Sequence, residues 1–186
     1  PIDYPHDEFT ATYQRAAEAI LDTTGARRGY ALVVDGNEGQ LAYELARRSD
    51  LKIYVTDPNA DKVEQARRAL AETGLYGRRI VVHDVEDEIP YANYFANLIV
   101  SDEQIRSGEM PTPASVVARH LKPLGGVLWT GAGVTVGHIG LSPAELDLTT
   151  VEGSEHVAPA TIVTRGALSG AGDWSHQYGN PANTAI

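Results

Sequence analysis

The sequence predicts an α/β fold of the Rossmann-like, doubly wound kind. Its sheet is mostly parallel with an antiparallel C-terminal strand, and helices on both faces complete three α/β/α layers. Three observations carry this expectation. Short apolar runs, the mark of strands buried on both faces, alternate with amphipathic helical segments along most of the chain. The first of these runs opens into a glycine-bearing loop that feeds a helix. Near the C-terminus, two strand-like runs follow each other with no helix between them, as at an antiparallel edge.

Each element has a local reason. Residues 7–24 place Ala16, Ala17, Ile20 and Leu21 on one helical face, and Gly25 and Gly29 punctuate its end. Tyr30 to Val34 is a short apolar strand. Residues 39–48 form a helix with Leu41, Ala42, Leu45 and Ala46 on one side. Leu51 to Val55 is a second strand, broken at Asp57-Pro58, and a helix over 59–73 ends at Gly74 and Gly77. Arg79 to Val82 is a third strand, and the run Tyr94 to Val100 contains a fourth. Ala114 to Leu121 reads as a helix with Pro113 at its first turn, followed by the turn 123–126 and a fifth strand, Val127 to Thr130. Ser142 to Leu146 reads as a short helix, and Thr149 to Glu152 and Ala160 to Thr164 as two strands around Gly153. Parallel neighbours joined by helices imply right-handed crossovers.

Composition bounds the function. The chain has 186 residues, the size of one domain with an appendage at about 150 residues per domain. Its formal charge of −10 disfavours coating a phosphate backbone, so no nucleic-acid partner is expected. No run of about 18 apolar residues occurs, so no membrane span is expected. The absence of cysteine excludes disulfides, thiolate metal sites and cysteine nucleophiles. The six histidines show no metal-ligand spacing and read as scattered surface residues. Residues 1–165 form the expected domain. The stretch 166–186, with four Gly, two Asn and Asp173 as its one charge, reads as a tail or linker. Its Trp174-Ser-His-Gln-Tyr178 needs a surface to pack on, either this domain's sheet or a following domain.

The candidate ligand site lies where the strands end. Ligands of doubly wound sheets bind beyond the carboxyl ends of the strands, at the point where strand order reverses. The first loop, Asp35-Gly36-Asn37-Glu38-Gly39, has two Gly and an Asn that tolerates positive φ, which suits close approach of a ligand to the backbone. Asp57 ends the second strand, where a carboxylate can accept hydrogen bonds from two ribose hydroxyls. Equally, it can start the turn into the next helix. Asp84 follows the third strand, within reach of a base amino group or as part of a solvated acidic run. The candidate binding residues are therefore Asp35, Gly36, Asn37, Gly39, Asp57 and Asp84. Asp102 and Glu103 are carboxylates after the fourth strand, either a base or plain exposed loop or helix-start residues.

The order of these features resembles a class I S-adenosylmethionine-dependent methyltransferase domain. The resemblance runs through the Gly loop, Gln40-Leu-Ala-Tyr-Glu-Leu-Ala46, Val55-Thr-Asp57-Pro, Val100-Ser-Asp102 and the turn Leu121-Lys-Pro-Leu-Gly-Gly126-Val. More narrowly, Gly74-Leu-Tyr-Gly77, Ile89-Pro-Tyr91 and the tail 170–178 are similar to methyltransferase-like domains fused to quinoprotein-type β-propellers in bacteria. The resemblance covers about residues 10–180. It implies S-adenosylmethionine as cofactor, Asp57 as the ribose acid, an unknown small methyl acceptor, a following propeller domain and an extracytoplasmic location.

The sequence departs from the family pattern in its first loop. That pattern is acidic-x-Gly-x-Gly-x-Gly, and anchoring on Gly39 puts Val33 at the acidic place and Asp35 and Asn37 at the first two Gly places. A register shifted by two would make Asp35 the acid but would put Leu41 at a Gly place inside a helix. Two other functions stay open: an inactive Rossmann-like interaction module, and a nicotinamide-dependent oxidoreductase. The last needs Gly-x-Gly-x-x-Gly, and Val34-Asp-Gly36-Asn-Glu-Gly39 lacks its first Gly. In the preferred register the resemblance puts Asp35 near the carboxylate of the cofactor's methionine arm, where two like charges weaken binding unless Asp35 turns towards the ammonium instead. Asp35→Gly is therefore expected to tighten S-adenosylmethionine binding in a calorimetric titration. Unchanged or weaker binding would refute the register.

Overall fold

The structure is a computed structural model and describes residues 2–86, 88–153 and 157–171. Its elements are α1 (Thr10–Thr24), β1 (Arg28–Val34), α2 (Gln40–Arg48), β2 (Asp50–Asp57), α3 (Ala60–Glu72), β3 (Ile80–Asp84) and β4 (Leu98–Ser101). Then come α4 (Asp102–Ser107), α5 (Ala114–Val117), β5 (Val127–Gly131), α6 (Val136–Ile139), β6 (Leu146–Val151) and β7 (Ala160–Arg165). The seven strands lie in the order β3-β2-β1-β4-β5-β7-β6. The first five are parallel, and β7 runs antiparallel to both β5 and β6. The expected doubly wound, mostly parallel sheet with an antiparallel C-terminal strand is the one found.

Strand periodicity splits the core into two layers. Ala31 and Val33 of β1 face one side with Ile53 and Val55 of β2, under Ala16, Ile20, Leu41, Leu45 and Leu70 of the helices α1, α2 and α3. Leu32 and Val34 face the other side with Ile99 and Leu128, against Ala114, Val117 and Leu121. The chain leaves β1 toward β2 and β3, then crosses back to β4 on the far side of β1. The crevice at the carboxyl ends of β1 and β4 is thus the switch point where a ligand binds in such sheets.

Several boundaries differ from expectation, each for a local reason. The first helix starts at Thr10 rather than residue 7, because the Asp7 carboxylate accepts from the Phe9 N–H and the Thr10 hydroxyl in a turn of its own. Asn59, not Asp57, caps α3, its Oδ1 accepting from the N–H groups of Asp61 and Lys62. The helix expected over 114–121 tightens into a 3-10 turn at Ala118–His120. The short helix expected at 142–146 is a 3-10 turn over Pro143–Glu145, and β6 starts directly after it. Helices α4 and α6 carry too few residues for a readable period. His120 corrects the surface reading of the histidines. It is fully buried, with Nδ1 against the Ala92 carbonyl at 3.0 Å, and burial lowers its pKa.

The stretch after β7 is still tied to the domain as far as it is described. The Gly166 N–H donates to the Glu145 carbonyl, and the Ser169 N–H donates to the Glu145 carboxylate at 2.9 Å. Trp174 to Tyr178 lies outside the described residues. Among the described residues no helix is long and apolar enough to cross a membrane.

The first loop depends on one close approach. A Cβ on Gly36 would sit 2.1 Å from Val55 Cγ1, and the Gly36 N–H donates to the Thr56 carbonyl. Gly36→Ala forces β1 and β2 apart where the candidate site begins. It is expected to cost about 1–3 kcal/mol of stability, read as a lowered midpoint in urea unfolding; an unchanged midpoint would show that the loop yields freely.

Candidate functional site

The first loop holds its shape against backbone strain. Asp35 and Asn37 both have left-handed backbones, with φ of 50° and 45°. Asp and Asn are among the few non-glycine residues that visit this region, and such outliers persist only where surroundings hold them. Gly39, at φ 83°, is the N-cap of α2 and packs against Leu70 and Ala66 of α3.

Asp35 is buried at the end of β1. One carboxylate oxygen accepts from the Ser101 hydroxyl at 2.7 Å, and the other accepts from the Thr112 hydroxyl at 2.5 Å. Its hydrogen-bond partners among the described residues are hydroxyls and one amide, none of them a cation. Thr112 belongs to the segment after α4, so this contact draws that segment down over the carboxyl end of the sheet.

Asp57 ends β2 and is also buried. Its Oδ2 accepts from the Asn37 N–H at 2.9 Å, and its Oδ1 accepts from the Asn59 N–H at 2.8 Å. Each oxygen keeps acceptor capacity for a further donor such as a ribose hydroxyl. Beside it lies a cavity of about 90 Å³. Asp35, Thr56 and Asp57 line its polar side, and Pro58, Val85, Ile89 and Val116 supply its apolar walls. Asp84 sits opposite Asp57 in the β2–β3 register but is exposed, and Val85 and Glu86 line the cavity in its place.

Asn37 is the centre of a polar cluster that sequence reasoning did not find. Its side chain is 2 % exposed. Its Nδ2 donates to the carboxylates of Asp102 at 3.0 Å and Glu103 at 3.2 Å, and its Oδ1 accepts from the Lys62 ammonium at 2.7 Å. Tyr13 of α1 donates its hydroxyl to the same Asp102 oxygen at 2.5 Å. The other oxygen, Asp102 Oδ2, is buried and has no hydrogen-bond partner among the described residues. Asp35, Gly36, Asn37, Gly39 and Asp57 therefore converge, together with Tyr13, Lys62, Ser101, Asp102, Glu103 and Thr112. Only the Asn at a glycine position hinted at this cluster.

This arrangement fits an adenosyl cofactor in one half only. The β2–β3 side offers a buried carboxylate and apolar walls for a ribose and its base. The β1–β4 crevice, which would hold the methionine arm, is filled by the Asn37 side chain and edged by three carboxylates. A cavity of about 90 Å³ is also well below the about 300 Å³ at which small-molecule sites begin. Among the described residues no group of three or more His, Asp or Glu is placed to hold a metal ion.

Comparison with known proteins agrees with the fold. No family model matches the chain. A dimethylglycine N-methyltransferase of Parasynechococcus marenigrum (strain WH8102) is 28 % identical over 130 residues, covering 68 % of this chain and 46 % of that protein. The chain thus spans less than half the length of the curated relative it matches. A protein of Methanococcus maripaludis assigned as an S-adenosyl-L-methionine-dependent methyltransferase superposes with a TM-score of 0.66 at 20 % identity, covering 86 % of this chain and 87 % of that one. A variant of MtNAS in complex with S-adenosylmethionine superposes with a TM-score of 0.62 at 14 % identity, over 87 % of this chain and 64 % of that one. The fold is therefore that of class I S-adenosylmethionine-dependent methyltransferases.

The carboxyl of Asp102 has a consequence for stability. Burial pushes its pKa up to about 7 from 3.8, against the hydrogen bonds from Tyr13 and Asn37, the nearby Leu41 backbone and the charge of Arg106, which pull it down. The folded chain therefore keeps a proton that the unfolded chain has released. This group's contribution to stability is full below about pH 4 and is lost as pH rises toward about 7. In Asp102→Asn the amide mimics the protonated acid and does not titrate. Relative to the variant, the native chain should lose thermal stability between about pH 5 and about pH 8. Parallel melting curves at both pH values would show that Asp102 does not titrate in this window.

Proposed function

We propose that the chain is a methyltransferase-type domain that holds an adenosyl ligand of the S-adenosylmethionine class at the carboxyl edge of its sheet. Transfer of a methyl group to an unidentified small acceptor is the activity that its relatives suggest. The observation that carries the reading is Asp57. It is buried at the end of β2, braced by two backbone N–H groups and open to a cavity with apolar walls. A pair of ribose hydroxyls meets such a carboxylate with charge-assisted hydrogen bonds, and the walls suit a base.

A second reading has its own support. The filled β1–β4 crevice favours a domain that kept the fold and a nucleoside pocket but serves as a binding or interaction module. Asp102, the carboxyl best poised to move a proton near neutrality, has no exposed surface and so touches no substrate. Glu103 is partly exposed and is the remaining candidate base, although it is already engaged by Asn37. A following propeller-type domain belongs to the same proposal and rests on the sequence resemblance alone.

Calorimetric titration with S-adenosylmethionine and S-adenosylhomocysteine tests the site. Saturable binding that Asp57→Ala weakens by about tenfold or more is expected. Binding that ignores Asp57→Ala, or no binding of any adenosyl compound, would overturn the assignment.

A further inference from the structure

We propose that the cleft selects adenosine-type nucleosides whose 5′ arm carries no carboxylate, and discriminates against the full amino-acid arm of S-adenosylmethionine and its product. The inference rests on the nucleoside reading of Asp57 and names the ligand class that the site accepts.

The direction of the ligand follows from the sheet. With the ribose at Asp57 on β2 and the base against Pro58, Val85, Ile89 and Val116, the 5′ arm must cross β1 toward β4, because β1 lies between β2 and β4. Whatever the arm carries then meets the first loop and the start of α4.

Space, hydrogen bonding and charge all act against a carboxylate there. The Asn37 side chain occupies the place where a glycine would leave room, and it is fixed at both ends, by Lys62 on one side and by Asp102 and Glu103 on the other. The start of α2 would normally welcome an anion through its free N–H groups. Here Asn37 already holds Asp102 and Glu103 against the loop that leads into α2, so an incoming carboxylate finds carboxyl groups in its place. Asp35, Asp102 and Glu103 border the crevice, while Lys62, the nearby cation, is drawn onto Asn37 Oδ1. A ligand carboxylate would add another negative charge beside the carboxylates of Asp35 and Glu103 in a buried setting, where like charges repel most strongly. A neutral methylthio group, or an arm ending in an amine, meets no such conflict.

Two ligands isolate the effect. 5′-Deoxy-5′-methylthioadenosine and S-adenosylhomocysteine share the nucleoside and the thioether and differ only in what the sulfur carries. Calorimetric titration of the 186-residue chain should show the methylthio compound binding about tenfold or more tightly than the homocysteine compound. In Asn37→Gly, which suits the left-handed backbone, that gap should narrow through tighter binding of S-adenosylhomocysteine. Circular dichroism would confirm that the variant is folded. Equal or tighter binding of S-adenosylhomocysteine by the native chain overturns the selectivity and leaves the nucleoside site standing. Failure of both ligands to bind removes the nucleoside reading, and this inference with it.

Discussion

The hydrogen bond from the Asn37 side chain to Asp102 helps to join three parts of the molecule. Asn37 belongs to the loop after β1, Asp102 opens α4 after β4, and the Tyr13 hydroxyl from α1 arrives at the same oxygen. The loop is held in a left-handed backbone at residues 35 and 37, which costs energy that a free loop would relax. The Asn37 contacts, together with the clasp of Ser101 and Thr112 on Asp35, offset that cost. The shape of the whole carboxyl edge follows from this.

Its consequence is a divided edge. On the β2–β3 side, Asp57 has backbone donors and free acceptor capacity beside apolar walls. On the β1–β4 side, the chain's own polar groups are paired with one another. Buried polar networks of this sort specify one arrangement strongly when fully satisfied and are costly where a member is not. The unpartnered Asp102 Oδ2 is such a member, and its raised pKa is the physical outcome: the site relieves the missing partner by keeping a proton.

The rest of the fold supports this edge with short connections. Between β3 and β4 the described residues form no helix. The sheet face there is covered by a cluster in which Tyr54, Tyr91 and Phe95 meet edge-on, with ring centroids 5.1–5.9 Å apart. The His83–Tyr91 hydrogen bond ties the end of β3 into that cluster. The class I architecture is thus complete in its sheet. The likeness to methyltransferases accordingly describes the frame better than it describes the chemistry.

The strand and helix alternation, the glycine loop, Asp57 and the antiparallel end were legible in the sequence, because each depends on neighbours a few residues apart. An apolar run marks a doubly buried strand, an i, i+3, i+4 stripe marks a helix, and Gly-x-x-Gly marks a turn. The two short helices escaped notice because four to six residues hold little more than one period. His120 gave no sign of burial, since its partner carbonyl lies 28 positions away. The roles of Asn37 and Asp35 lay further out of reach. Asn37 meets Asp102 across 65 positions, Asp35 meets Thr112 across 77, and Tyr13 meets Asp102 across 89. The sequence by itself determined which segments are buried and in what order they alternate. Only the tertiary structure decided that the crevice beside the Asp57 cavity is filled, because the groups that fill it come together through sheet order and not through proximity along the chain.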